Sequence, residues 1–111
     1  MEVTFTTHDK WIVLHISGRI DALTNELFES KSIELIDQAA TGCLIDMSSL
    51  QYISSAGLRS VLMVVRHCQQ NKYPIALCSM QKTVADVFKI SGFSEFLNIA
   101  ADIPGGLAML K

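Results

Sequence analysis

Val3, Phe5 and Thr7 alternate with Glu2, Thr4 and Thr6 at the start of the chain. That period of two predicts a strand with one covered face. His8-Asp9-Lys10 reads as a turn and Trp11-Ile-Val-Leu-His-Ile-Ser17 as a second strand, so the opening is a hairpin ended by Gly18-Arg19. The period then changes. Leu23, Leu27, Phe28, Leu35, Ile36 and Ala39 recur near helical spacing behind Asp21, which predicts a helix capped by that aspartate. Thr41-Gly42 breaks it. Cys43-Leu-Ile-Asp46 is apolar up to its last residue, as a strand covered on both faces would be.

A polar turn follows Asp46, then Tyr52-Ile53 and Ser54-Ser55-Ala-Gly57. Leu58, Val61, Leu62, Val65 and Cys68 line one side of a second helix, which ends in Gln69-Gln-Asn-Lys72. Tyr73-Pro-Ile-Ala-Leu-Cys78 is a strand with its proline near the start, where it is tolerated. A third helix runs from Gln81 to Ile90 with Val84, Val87 and Phe88 inward, stopped by Ser91-Gly92. Phe96-Leu-Asn-Ile99 is a last short strand, and Asp102 to Leu110 a closing helix with Pro104 in its first turn. Strands alternating with helices after a hairpin predict one α/β domain over residues 1–111, with a mixed sheet of four to five strands.

Half of the 111 residues are hydrophobic and 18% are charged, enough to bury a proper core. The net charge of -2, without any basic block, argues against nucleic acid or an anionic membrane surface as partner. No segment approaches the ~20 apolar residues that span a bilayer, and the first residues lack the basic and apolar regions of a signal peptide. Cys43, Cys68 and Cys78 are odd in number and widely spaced. They read as buried free thiols in a reducing cytoplasm.

Enzyme motifs are missing: there is no Gly-x-Ser-x-Gly elbow, P-loop or Gly-x-Gly-x-x-Gly. His8, His15 and His67 fall on three elements without metal-ligand spacing, and His15 is expected to point to solvent or a loop. Nothing calls for a metal or cofactor. Asp21 and Asp46 each have a local task, one as a cap and one as a strand end. Ser54 and Ser55 stand at the lip of a helix, where unpaired N–H groups and the dipole favour a serine oxygen or a phosphate. Capping and phosphorylation are both open readings. Arg59, a cation in the first helical turn, opposes the dipole; an exposed arginine beside a phosphate site or an acidic partner, or a solvated side chain, would each account for it.

The chain resembles the stand-alone STAS domains, the bacterial anti-sigma factor antagonists. Four stretches carry the likeness: Gly18-Arg-Ile-Asp21, Leu44-Ile-Asp46-Met-Ser48, Tyr52-Ile-Ser-Ser-Ala-Gly-Leu58, and Val84-Ala-Asp-Val-Phe88 with Ser91-Gly-Phe93. The resemblance implies the STAS fold and a partner-switching role. The unphosphorylated domain would bind a serine-kinase anti-sigma factor with a histidine-kinase-like ATPase fold, or a related switch protein. That kinase would phosphorylate a serine of the motif and eject the domain, and a PP2C-type phosphatase would reset it. The position two before the glycine makes Ser55 the implied acceptor and Ser54 its rival. Many members carry aspartate where this chain has Ser54, and a second hydroxyl where it has Ala56.

The implied docking surface comprises the Gly18, Arg19 and Asp21 loop, Asp46, the Ser48-to-Gly57 turn with Tyr52, Ser54, Ser55 and Ala56, and Arg59, Ser60 and Met63 on an exposed helix side. A monomer is expected when the protein is free. A second reading is an accessory subunit of an ABC-type lipid or other transporter, with Ser55 a contact rather than an acceptor. A third, an enzyme built on Asp21, Asp46 and Ser55, would need a deep polar pocket at the strand ends.

Overall fold

The computed structural model describes all 111 residues. A five-stranded sheet runs in the order β1 (Glu2–His8), β2 (Trp11–Ile20), β3 (Cys43–Ile53), β4 (Ile75–Cys78), β5 (Ile99–Ala100). β1 and β2 form the antiparallel hairpin, and every later pairing is parallel. The parallel strands are joined by helices, as crossovers require: α1 (Asn25–Ala39), α2 (Ser55–Gln70) and α3 (Lys82–Ile90). A short turn of 3₁₀ helix (Phe93–Glu95) precedes β5, and α4 (Ile103–Met109) closes the chain. The α/β class, the mixed sheet and the N-terminal hairpin agree with the sequence pattern.

Alternation along the strands divides the core in two. Ile12, Leu14 and Ile16 of β2 and Ile45 of β3 meet Phe28, Ile36, Val61, Val65 and Phe88 from the three larger helices. Trp11 and Val13, with Leu44, Ala76 and Cys78, face the other way onto Leu107 and Leu110 at the α4 end. Cys43 to Met47 are all buried, which explains why the start of β3 reads as an unbroken apolar run.

Several boundaries differ from the sequence pattern. β2 continues through Gly18 and Arg19 to Ile20; Gly18 sits at φ 88, within the strand rather than beyond it. β3 does not turn at Asp46 but extends to Ile53. It slips in register against β2 between Asp46 and Ser49 and again between Leu50 and Tyr52. Such bulges leave extra residues unpaired and bend the strand, and their polar serines and glutamine look like a turn in sequence. α1 starts at Asn25 behind Thr24, three residues later than expected of an Asp21 cap. Leu23 and Leu27 are therefore not core residues, being 94% and 60% exposed. The last strand is Ile99–Ala100 rather than Phe96–Ile99, with Phe96 left in solvent.

Candidate functional site

The long β2 and β3 strands end together, with Arg19 opposite Tyr52 and Ile20 opposite Ile53. α2 starts directly after them. The Ser54 N–H donates to the Ile20 carbonyl at 2.9 Å. The Ser54 hydroxyl oxygen then accepts the Gly57 N–H at 3.1 Å, which makes it the N-cap of α2. Gly57 is needed for this close junction: a Cβ there would lie 2.4 Å from the Ile20 carbonyl oxygen.

Ser55 is the first residue of the helix and its side chain is exposed. It borders a shallow hollow of about 290 Å³ with Leu58, Arg59, Leu62, Ser91 and Phe93. The last two come from the loop after α3, a contribution the sequence pattern did not suggest. Gly92, in left-handed backbone at φ 83, is the feature that turns this loop sharply toward the short 3₁₀ turn. Asp21 and Asp46 do not line the hollow.

At the ends of β2 and β3, the Arg19 guanidinium stacks over the Tyr52 ring at 4.2 Å. Arg19 also lies 3.7 Å from Asp21 Oδ2. Asp21 shapes the loop before α1 instead of capping the helix. Its carboxylate accepts the Leu23 N–H at 3.0 Å, and its carbonyl accepts the N–H groups of Thr24 and Asn25. The Leu23 hydrogen bond holds the Asp21 carboxyl below its ordinary pKa against some desolvation, and the Thr24 bonds and the Arg19 charge act in the same direction. Arg59 and Met63 are exposed on α2, and Ala56 is half-buried.

Four residues expected on the docking surface lie elsewhere. Ser60 is buried, hydrogen-bonded to the Asn25 side-chain amide at 3.1 Å, and ties α2 to α1. Gly57 is buried in the junction with β2. Asp46 is also buried and binds inward: it accepts from His15 Nδ1 at 2.7 Å and from the Ser48 N–H at 3.0 Å. His15 is thus a half-buried strand residue with a partner, not a solvent or loop histidine; its Nε2 lies 2.9 Å from Thr6 Oγ1. Ser48 is exposed, but six positions of extended strand separate it from Ser54, roughly 20 Å of chain. It belongs beside Gln81, whose amide donates to its carbonyl.

The surface around Ser55 therefore joins Leu58, Arg59 and Leu62 of α2 with Ser91 and Phe93. Hydroxyl, cationic and apolar groups stand together on a shallow face, as suits a protein contact better than a buried small molecule.

The family model described as the STAS domain matches residues 2–104. BtrV of Bordetella bronchiseptica, a protein named as an anti-sigma factor antagonist, is 30% identical over 111 residues, covering 100% of this chain and 96% of its own. Among solved structures, TM1081 of Thermotoga maritima, also named as an anti-sigma factor antagonist, superposes with a TM-score of 0.87 at 14% identity, covering 97% of this chain and 93% of its own. The anti-sigma factor antagonist SpoIIAA in its unphosphorylated form gives 0.72 at 22% identity, covering 91% and 90% of the two chains. Its phosphorylated form, from Bacillus, gives 0.66 at 21% identity, covering 91% and 93%. At these identities the structures speak for the fold, while the family model and BtrV speak for descent: the chain belongs to the STAS domain family.

Proposed function

We propose that this protein is an anti-sigma factor antagonist that works by partner switching in the cytoplasm. Its unphosphorylated form binds a serine-kinase anti-sigma factor, or a related switch protein, through the face around Ser55. Phosphorylation of Ser55 by that kinase releases it, and a PP2C-type phosphatase restores it. It is a binding module, and the catalysis belongs to its partners. The names of its relatives support this reading, as does the existence of phosphorylated and unphosphorylated forms of SpoIIAA.

The observation that carries the choice of residue is the bond from Gly57 to Ser54. It commits the Ser54 oxygen to the helix cap, whereas the Ser55 side chain stands exposed at the mouth of α2. A phosphate on Ser55 adds about -1.5 to -2 charge. The helix mouth favours that charge by only ~0.3–1 kcal/mol, too little to refold a domain stable by about 5–15 kcal/mol. The change acts where a partner must cover it. Burying an unpaired charge costs several kcal/mol, and about 2.7 kcal/mol already weakens binding ~100-fold. Phosphorylation is thus a veto on a preformed surface.

Incubation with ATP and the kinase encoded in the same operon, followed by mass spectrometry, tests the assignment. Phosphate on Ser55 is the expected result. Phosphate on Ser54 alone, or continued uptake by the Ser55→Ala protein, contradicts it.

A further inference from the structure

The two edges of the sheet are not protected equally. An edge strand offers unpaired N–H and C=O groups to any other strand, and proteins usually blunt it by shortness, proline, lysine or a bulge. β5 is only Ile99–Ala100, so that edge is short. β1 spans seven residues, Glu-Val-Thr-Phe-Thr-Thr-His, with no proline, lysine or register break. Every residue from Thr4 to His8 is exposed, and Phe5 is 52% exposed.

The ladder on the inner side fixes which groups of β1 face outward. Ile12 N–H donates across to Gly42 on the β3 side. Its neighbours Trp11 and Val13, and then His15, therefore turn their backbone groups toward β1, where they pair with His8, Thr6 and Thr4. Val3, Phe5 and Thr7 are left pointing their N–H and C=O groups away from the sheet.

We propose that this edge binds a second copy of the chain, β1 against β1, antiparallel about a two-fold axis at Phe5. In that register Phe5 and its counterpart exchange two backbone bonds, and Val3 and Thr7 of the opposite copy exchange two more. Thr4 faces Thr6 of the second copy, and Glu2 faces its His8, an acid against an imidazole. A shift by two residues sets Phe5 against Val3 or Thr7 and leaves Glu2 or His8 overhanging. Only the register centred on Phe5 pairs all seven positions of the strand.

The helix above the edge agrees. Asn25 meets Ser60 and Asp37 meets His67, so that flank of α1 faces α2. Leu27 lies two positions after Asn25, about 200° around the helix, on the flank turned away from α2 toward β1. It is 60% exposed, and the two-fold brings it toward the second copy. A ten-stranded sheet would result, replacing the monomer expected from the sequence. Ser55 lies at the far end of β3, two strands in from this edge, so each copy keeps its docking face free.

Sedimentation of the intact protein over a range of concentrations, with Thr7→Pro and Phe5→Lys, tests the pairing. The wild-type mass should rise from 12.2 kDa toward twice that value. Both variants should stay monomeric with an unchanged circular dichroism spectrum. Proline at 7 removes an outward N–H that the monomer does not use, and lysine at 5 sets two like charges on the axis. A Phe5→Cys protein should cross-link to itself on oxidation, because residues opposite in a bonded pair lie about 5.5 Å apart, within disulfide reach. Thr4→Cys should not, being offset from its own copy, and the native thiols are buried. A wild type that remains monomeric up to its solubility limit overturns the proposal. So does a dimer that survives both variants, or one that cross-links at position 4 and not at 5.

Discussion

The Ser54 hydroxyl accepts the Gly57 N–H at 3.1 Å, so the two neighbouring serines are not equivalent. Ser54 is part of the architecture of α2, and Ser55 is on its surface. Ser54→Ala removes a side-chain cap and should cost about 1 kcal/mol. That corresponds to a melting temperature lower by roughly 4–8 °C for a domain near this size. Ser55→Ala should melt within the error of wild type. Calorimetry of the two variants checks the difference.

Gly57→Ala should be worse than either. The added methyl would meet the Ile20 carbonyl at 2.4 Å, and the obstacle is backbone, not a side chain that can swing aside. Forcing extra carbon into a packed junction costs typically 1–3 kcal/mol. Urea unfolding should show a lower midpoint with an unchanged slope. Partner affinity should fall as well, since the start of α2 must shift away from β2.

Asp46 offers a test of structure against docking. Its carboxylate is buried and holds His15 and Ser48 across the first bulge. Asp46→Ala strands their donors and should cost about 1–3 kcal/mol. Paired with His15→Ala in a double-mutant cycle, it should show coupling of about 0.5–3 kcal/mol. Titration of the folded fraction against the partner should give wild-type affinity, because Asp46 does not reach the docking face.

The cysteines predict an alkaline limit. Burial pushes the Cys68 thiol up to about 12, with the Asp37 charge adding to the effect. Its folded pKa lies above its value of about 8.5 in an unfolded chain. The stabilising contribution is therefore complete below that lower value and is lost as pH rises toward about 12. Denaturant midpoints measured from pH 7 to 11 should decline, and Cys68→Val should flatten the part of the decline that this thiol causes.

Much of this was legible in the residue pattern, for reasons that also explain the exceptions. The hairpin, the buried start of β3 and the apolar stripes of α2 and α3 are local consequences of periodicity and burial. The continuation of β3 past Asp46 was not legible, because bulged strand residues such as Ser48, Ser49 and Gln51 have the composition of a turn. Leu23 and Leu27 fit a helical period but fall outside the core, since α1 starts late and its contacts with the sheet and α2 lie on other flanks. At the hollow, Ser55 and Arg59 were foreseeable from the motif and its neighbours. The Ser91–Phe93 loop was not, because only the tertiary fold brings residues some forty positions away to Ser55.

The central claim is that one phosphate on Ser55 prevents docking without remodelling the domain. Calorimetric titration of the cognate anti-sigma factor with unmodified protein and with protein phosphorylated at Ser55 measures it directly. The account predicts a loss of ~100-fold or more in affinity, equivalent to about 2.7 kcal/mol. Equal affinities for the two forms would contradict it.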